Sequence, residues 1–168
     1  LGLGFTNLGA LLMSLGIAYD SDEGRDIATS IMSAMQVAAI NQSQTLGEVL
    51  GSYPALKNNV DHQASVLLKH YNSWKTKSSI YSLSQDIDEI SSSEWGNVMP
   101  YSPRRNAQLS VIAPTGTISF LMDCETTGIE PVLAVNAKKD LVNGGTLDVG
   151  VDECVKAGIN SIRNNTIN

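Results

Sequence analysis

Between Ala113 and Ser119 the chain reads APTGTIS, a stretch in which hydroxyls alternate with residues that stop or free the backbone. Pro114 ends whatever extended segment precedes it, and Gly116 lets the main chain come close to a ligand. If a helix opens here, the amides of Thr115 through Ser119 have no acceptors behind them. Such unpaired donors suit a phosphate. Thr115, Thr117 and Ser119 add hydroxyls that can donate to phosphate oxygens, and no charged side chain occurs from Asn106 to Met122. Binding here would rest on neutral donors. The same residues also read as a plain capped turn, and the local chemistry leaves both readings open. Pro114, Thr115, Gly116, Thr117, Ile118 and Ser119 are therefore the candidate phosphate-binding residues.

Other reactive residue types are sparse and poorly spaced. Cys124 and Cys154 lie far apart without the close Cys or His partners that structural zinc needs, so no metal site is expected. A buried thiol is the commoner meaning of each. His62 and His70 sit eight residues apart on one predicted helix, too far for an i, i+4 ligand pair. Gly2 and Gly4 begin a dinucleotide-type pattern, but Asn7 stands where its third glycine belongs. Asp20, Asp22 and Gly24 resemble the start of a calcium loop, yet Ile31 occupies the twelfth position, where a carboxylate is required. Trp74 and Trp95 read as core or loop anchors. The sequons at Asn41 and Asn164 matter only in a secreted protein. No catalytic residue is assigned.

The elements that must position the loop follow from periodicity. Leu1, Phe5, Leu8, Leu11, Leu12 and Leu15 recur at helical spacing, with Gly2, Gly4 and Gly9 pointing to close packing against a neighbour. Asp20 or Ser21 can cap a second helix with Asp22 and Glu23 in its first turn and Ile27, Ile31, Met35 and Ala38/Ala39 on its buried face. A third helix carries Val60, Ala64, Leu67, Leu68, Tyr71 and Trp74. Residues 1–80 are thus mainly helical, and residues 81–104 read as a Ser-rich connection with one short helix near Glu94 to Met99. Residues 105–168 read as strand, phosphate loop, strand and helix. Leu109 to Ala113 form a strand buried on both faces, further strands fall at Val132 to Val135 and Thr146 to Val149, and a last helix carries Val151, Val155, Ile159 and Ile162. The fold class is α/β.

The chain has 168 residues and a net charge of −6, from 17 acidic against 11 basic side chains, which offers a polyanion no general attraction. No nucleic-acid partner is expected. No apolar run approaches the length of a membrane helix and no basic-then-apolar leader is present, so the expected setting is cytoplasmic, away from any membrane. Starting at Leu1 and ending in SIRNNTIN, the chain reads as a fragment cut at both ends.

Four blocks in order, RNAQ (Arg105 to Gln108), APTGTIS, MDC (Met122 to Cys124) and TTGIEP (Thr126 to Pro131), closely resemble the adenosylcobalamin-dependent, class II ribonucleotide reductases. LGLGFTNLGALLMSLGIAYDSDEGR, from Leu1 to Arg25, resembles the helix-loop-helix preceding this region in that family, and the likeness thins after Lys139. The resemblance implies a piece of a ten-stranded α/β barrel, residues 1–168 forming part of that one domain. It also implies that the APTGTIS loop holds the phosphates of a substrate ribonucleotide through backbone amides. The parent enzyme would reduce ribonucleotides, diphosphates being expected, to 2′-deoxyribonucleotides by thiyl-radical chemistry begun by adenosylcobalamin. Its expected partners are the ribonucleotide, the remainder of its own barrel, a thioredoxin-type or dithiol reductant and, as an open option, a second copy. The family's Asn-x-Cys-x-Glu finger loop and its C-terminal cysteine pair do not occur here, so the fragment alone is expected to be inactive. Two alternatives stay open: a class I enzyme with a metal-bearing partner, because GIEP also occurs there, and a non-catalytic nucleotide-binding module.

Overall fold

Local caps and distant hydrogen bonds both bear on where this chain turns helical. The computed structural model describes residues 1–132, 134–140 and 143–166, of which 137, 139, 147, 149, 165 and 166 through the main chain alone. In order, it holds α1 (Leu8–Ser14), α2 (Asp22–Leu50), a 3-10 turn (Pro54–Asn58), α3 (Val60–Thr76), α4 (Ser82–Trp95), α5 (Gly116–Leu121), β1 (Asn136–Asp140), β2 (Thr146–Gly150) and α6 (Asp152–Thr166). The chain divides into two compact units, Leu1–Leu3 with Asp26–Val111, and Gly4–Arg25 with Ile112–Asn168.

The first unit is built on the long α2 from Asp26 onward, the first turn of that helix belonging to the second unit. Ser21 caps that helix as expected, its hydroxyl accepting the Gly24 amide at 3.0 Å, while Asp22 and Glu23 fill the first turn. The buried stripe differs from the expected one: Ile27, Val37 and Ile40 are fully enclosed together with Ser30 and Ser43, whereas Ala38 is exposed. Two serines on the inner face disguise the apolar period. Val37 and Ile40 pack with Leu67 of α3, Trp95 of α4 and Leu109, and Tyr71, Trp74 and Val98 close around them. The α3 stripe holds except at Leu68, which faces outward. Trp74 and Trp95 are core anchors, clustered with Tyr71 in tilted and edge-on pairs whose centroids lie 5.5 to 6.2 Å apart.

The stretch read as a connection, residues 81–104, instead contains the 14-residue α4, and Glu94 to Met99 is its end and following turn. Its inner face is Ser84, Ser91 and Trp95, so hydropathy barely marks it. The chain entering it is held from afar: Asp26 on α2 accepts the amides of Ile80 at 2.9 Å and Tyr81 at 3.1 Å. Lys77 lies between Asp26, at 3.4 Å, and Asp88, at 2.5 Å, in this buried cluster. Burial alone would raise the Asp26 carboxyl. The Ser84 hydroxyl, the Tyr81 and Ile80 amides and the Lys77 charge outweigh it and hold the group below the usual carboxylate range.

The expected strand at Leu109 to Ala113 is reduced to one parallel bridge, Leu3 with Ser110. Leu109 is buried, but Val111 and Ile112 are 46% and 59% exposed. A strand buried on both faces needs neighbours on each side and layers above and below, and a single bridge supplies neither.

In the second unit α1 is shorter than its leucine pattern, starting only at Leu8 because Leu3 is drawn into that extended bridge. Gly9 confirms the close packing expected of these glycines, since a Cβ there would stand 2.6 Å from the Glu130 carbonyl oxygen. Helix α6 lies against α1 so tightly that a Cβ at Gly158 would meet the Met13 carbonyl oxygen at 2.2 Å. It therefore buries Cys154 and Gly158, with Val151 buried just before its start, while Ile159 and Ile162, expected inside, are about half exposed. β1 and β2 pair antiparallel from Asn136↔Gly150 to Asp140↔Thr146 around a turn with Gly144 and Gly145 at positive φ. β2 falls where expected. The strand expected at Val132 to Val135 begins later, at Asn136, and Leu133 of that reading lies outside the described residues.

Candidate functional site

All six candidate residues lie at the start of α5 in the second unit. Thr115 is its N-cap residue, at φ 49°, ψ 33°, the left-handed conformation that residues with a Cβ adopt at a cost. That turn brings the chain from Pro114 into the helix, so that Gly116, Thr117 and Ile118 open the first turn with amides that have no backbone acceptor behind them among the described residues. The Ser119 amide is already used, donating to the Thr115 carbonyl at 3.0 Å. A Cβ built on Gly116 would meet nothing within 4 Å, so there is open space beside the backbone at that position.

The hydroxyls are arranged differently from expectation. Ser119 is fully buried, and its hydroxyl donates to the Thr115 carbonyl at 2.5 Å and lies 2.6 Å from the Thr6 hydroxyl. Thr115 donates to Thr6 Oγ1 at 3.1 Å and accepts the Gly128 amide at 2.7 Å. Both side chains thus point into the protein and brace the turn. Thr117 is exposed, so among the expected hydroxyls it alone faces solvent. Burial fixes this choice, because an enclosed hydroxyl must find partners inside.

The segment that braces the loop is Thr126 to Pro131. Gly128, at φ 51°, fits under the loop with no room for a side chain: a Cβ would stand 2.9 Å from the Ala113 carbonyl oxygen. Its amide is shared between Thr6 Oγ1, at 2.9 Å, and Thr115 Oγ1. Asn7 accepts the Thr126 amide at 2.9 Å, and the Thr126 hydroxyl accepts the Ala10 amide at 3.2 Å. Thr6 and Asn7 were not singled out from sequence. Their signal was membership of the same matched block as the α1 leucines, masked by those leucines' helical spacing.

The remaining residues take structural places. RNAQ is fastened to α2: the Ser43 carbonyl accepts the Arg105 amide at 2.9 Å and its hydroxyl the Asn106 amide at 3.0 Å. Cys154 is buried 3.4 Å from Met13 Sδ, and burial, with Glu125 adding to it, pushes its thiol up to about 11, far from a reactive thiolate. Cys124 is half-buried. His62 and His70 are exposed, and no group of three or more His, Cys, Asp or Glu able to hold a metal occurs among the described residues. Asp20 and Asp22 bind Arg25, each at 2.7 Å. No described helix is long and apolar enough to cross a membrane. Two clefts open in the first unit, one of about 380 Å³ lined by Tyr71, Trp74 and Trp95, the other of about 330 Å³ lined by Gln36, Gln63 and Arg104.

Residues 1–163 match the family described as ribonucleotide reductase, barrel domain. The chain belongs to that ribonucleotide reductase family. Among curated relatives of this reductase chain, a vitamin B12-dependent ribonucleotide reductase of Streptantibioticus cattleyicolor is 40% identical over 89% of the chain and 25% of its own length. A protein of the same name from Streptomyces clavuligerus is 41% identical over 89% of the chain and 16% of its own length. A vitamin B12-dependent ribonucleoside-diphosphate reductase of Mycobacterium tuberculosis is 33% identical, again over 89% and 16%. The reductase chain spans a quarter or less of the length of these relatives. The family description supports a barrel domain; the described residues themselves contribute six α-helices and one two-stranded antiparallel sheet.

Proposed function

We propose that this chain supplies the substrate-phosphate segment of a cobalamin-dependent ribonucleotide reductase, as part of one ten-stranded α/β barrel completed by the rest of the parent enzyme. Pro114, Thr115, Gly116, Thr117, Ile118 and Ser119 form the cradle. The amides of Gly116, Thr117 and Ile118 face the phosphate, Thr117 adds its hydroxyl, and Thr115 and Ser119 hold the turn from within. The observation that carries this reading is the unpartnered first turn of α5 behind an open Gly116, inside the residues that match the family. Holding the phosphate fixes where the ribose lies, and positioning of this kind contributes to rate.

The parent enzyme would convert ribonucleoside diphosphates to 2′-deoxyribonucleotides in the cytoplasm, with a thioredoxin-type or dithiol reductant and, as an option, as a homodimer. The names of the relatives favour the cobalamin class over a class I enzyme or a non-catalytic module, and the Mycobacterium tuberculosis protein's name favours diphosphates. Adenosylcobalamin, when bound, supplies the radical chemistry. Neither of the two clefts in the first unit fits that group: a corrin exceeds a drug-sized ligand, and about 380 and 330 Å³ are at the small end for such ligands. No step through it is derived for this chain.

Gly116→Val in the parent enzyme tests the cradle. The new side chain meets no protein atom at its Cβ and reaches into the space a phosphate would need. KM for a ribonucleoside diphosphate should rise about tenfold or more, equivalent to about 1.4 kcal/mol. Unchanged KM and turnover would refute the assignment.

A further inference from the structure

Thr6 lies just before α1, outside the loop, yet its hydroxyl touches every segment that forms the loop's underside. It accepts the Thr115 hydroxyl at 3.1 Å and the Gly128 amide at 2.9 Å, lies 2.6 Å from the Ser119 hydroxyl, and faces the Thr126 carbonyl at 3.4 Å. Thr115 meanwhile sits at φ 49°, a conformation that persists only where the surroundings over-determine it. Three contacts act on its side chain, and each leads to Thr6: Thr6 itself, the Gly128 amide that Thr6 shares, and the Ser119 hydroxyl at 3.0 Å, which in turn lies 2.6 Å from the Thr6 hydroxyl.

We infer that Thr6 is a positioning residue for substrate binding: its hydroxyl locks Thr115 in the left-handed turn and thereby aims the amides of Gly116, Thr117 and Ile118 at one point. The inference rests on the reading of this loop as a phosphate cradle. Without that hydroxyl, the Thr115 hydroxyl and the Gly128 amide lose a shared partner in a part-buried place, and Thr115 is freed toward the right-handed conformation. Such a change turns the peptide planes at the start of α5. The donors remain, but they no longer converge. Since the phosphate lies away from the reacting sugar, the loss should fall on binding, raising KM while leaving the turnover number nearly unchanged.

The test uses the full-length reductase that contains this chain, with a ribonucleoside diphosphate as the probe. Thr6→Val keeps the shape and removes the hydroxyl; Thr6→Ser keeps the hydroxyl. Thr6→Val should raise KM and the equilibrium dissociation constant of the diphosphate about tenfold with kcat within about threefold, and Thr6→Ser should bring both constants back to within about threefold of the parent. Gly116→Val is measured alongside. If Gly116→Val raises KM and Thr6→Val does not, the role of Thr6 is overturned and the cradle stands. If Gly116→Val changes nothing, the cradle reading itself falls, and the inference with it. A loss confined to kcat in Thr6→Val would also overturn the positioning role. Should Thr6→Val not fold, Thr6→Ser decides: binding near the parent value supports the hydroxyl's role, and a tenfold weakening with the hydroxyl present refutes it.

Discussion

Gly128→Ala is the substitution through which the structure is most exposed to refutation. Three costs add. Alanine at φ 51° occupies the left-handed region, at about 1–2 kcal/mol. Its Cβ would stand 2.9 Å from the Ala113 carbonyl oxygen and 3.3 Å from that of Pro114, and backbone oxygens cannot swing aside as a side-chain end can. Displacing the segment also strains the amide that Thr6 and Thr115 share, and a buried donor left unpaired costs about 1–3 kcal/mol. The sum is about 3 kcal/mol, with relaxation of the loop setting the lower end near 2 kcal/mol. Urea unfolding followed by circular dichroism reads this directly: with a slope of about 2 kcal/mol per M, the midpoint should fall by about 1–1.5 M. Gly116→Ala serves as the internal contrast, because its Cβ meets nothing within 4 Å and alanine favours a helix, so its midpoint should hold or rise slightly. A Gly128→Ala midpoint within about 0.2 M of the parent would refute the packing of Thr126 to Pro131 beneath the loop.

Two further outcomes follow from other parts of the chain. Asp26→Ala removes the acceptor of the Ile80 and Tyr81 amides before α4 and one of the two carboxylates beside Lys77, which should cost about 2–4 kcal/mol in the same urea experiment. Because the folded state holds the Asp26 carboxyl below its ordinary value, its contribution is fully present above about pH 4 and is lost as pH falls through the lowered folded value. Asp26→Asn should flatten that part of the acid-stability curve, and an unchanged curve would contradict the cluster. Separately, the 168-residue chain supplied with cobalamin and dithiol should form no deoxyribonucleotide above background in a product assay, since Cys154 is buried with a thiol near 11 and the finger-loop and C-terminal cysteine motifs do not occur in it.

The loop was legible because its signal is local: proline, glycine and hydroxyl residues at short spacing define a turn whatever surrounds them, and the helix start fell where Pro114 and Gly116 placed it. The direction of each hydroxyl was not, because it depends on partners 109 and 113 residues away at Thr6. Helix α4 was missed for a related reason. Its buried positions are Ser84, Ser91 and Trp95, and the chain entering it is held at Ile80 by Asp26, 54 residues earlier, so neither period nor local start signal marks it. The faces of α2 and α6 were shifted because Ser30 and Ser43 turn inward to bond Lys77 and the Asn106 amide, and Gly158 sits inward where α6 lies against α1. At Leu109 to Ala113 the reverse holds: the residues carry a strong strand pattern, and among the described residues Leu3 alone bridges it.

The neutrality of the loop has a consequence for how its ligand would be selected. Amides have no pKa in the working range, and from Asn106 to Met122 no side chain carries a charge. On the proposed reading, the protonation state that matters belongs to the phosphate itself, and the protein adds no titration of its own within the cradle. Arginine or lysine would draw in any polyanion at a distance, with an attraction that fades as salt is added. A ring of aimed dipoles acts at hydrogen-bond range instead. It rewards the shape of a phosphoryl group over the number of its charges, and its grip should depend weakly on ionic strength.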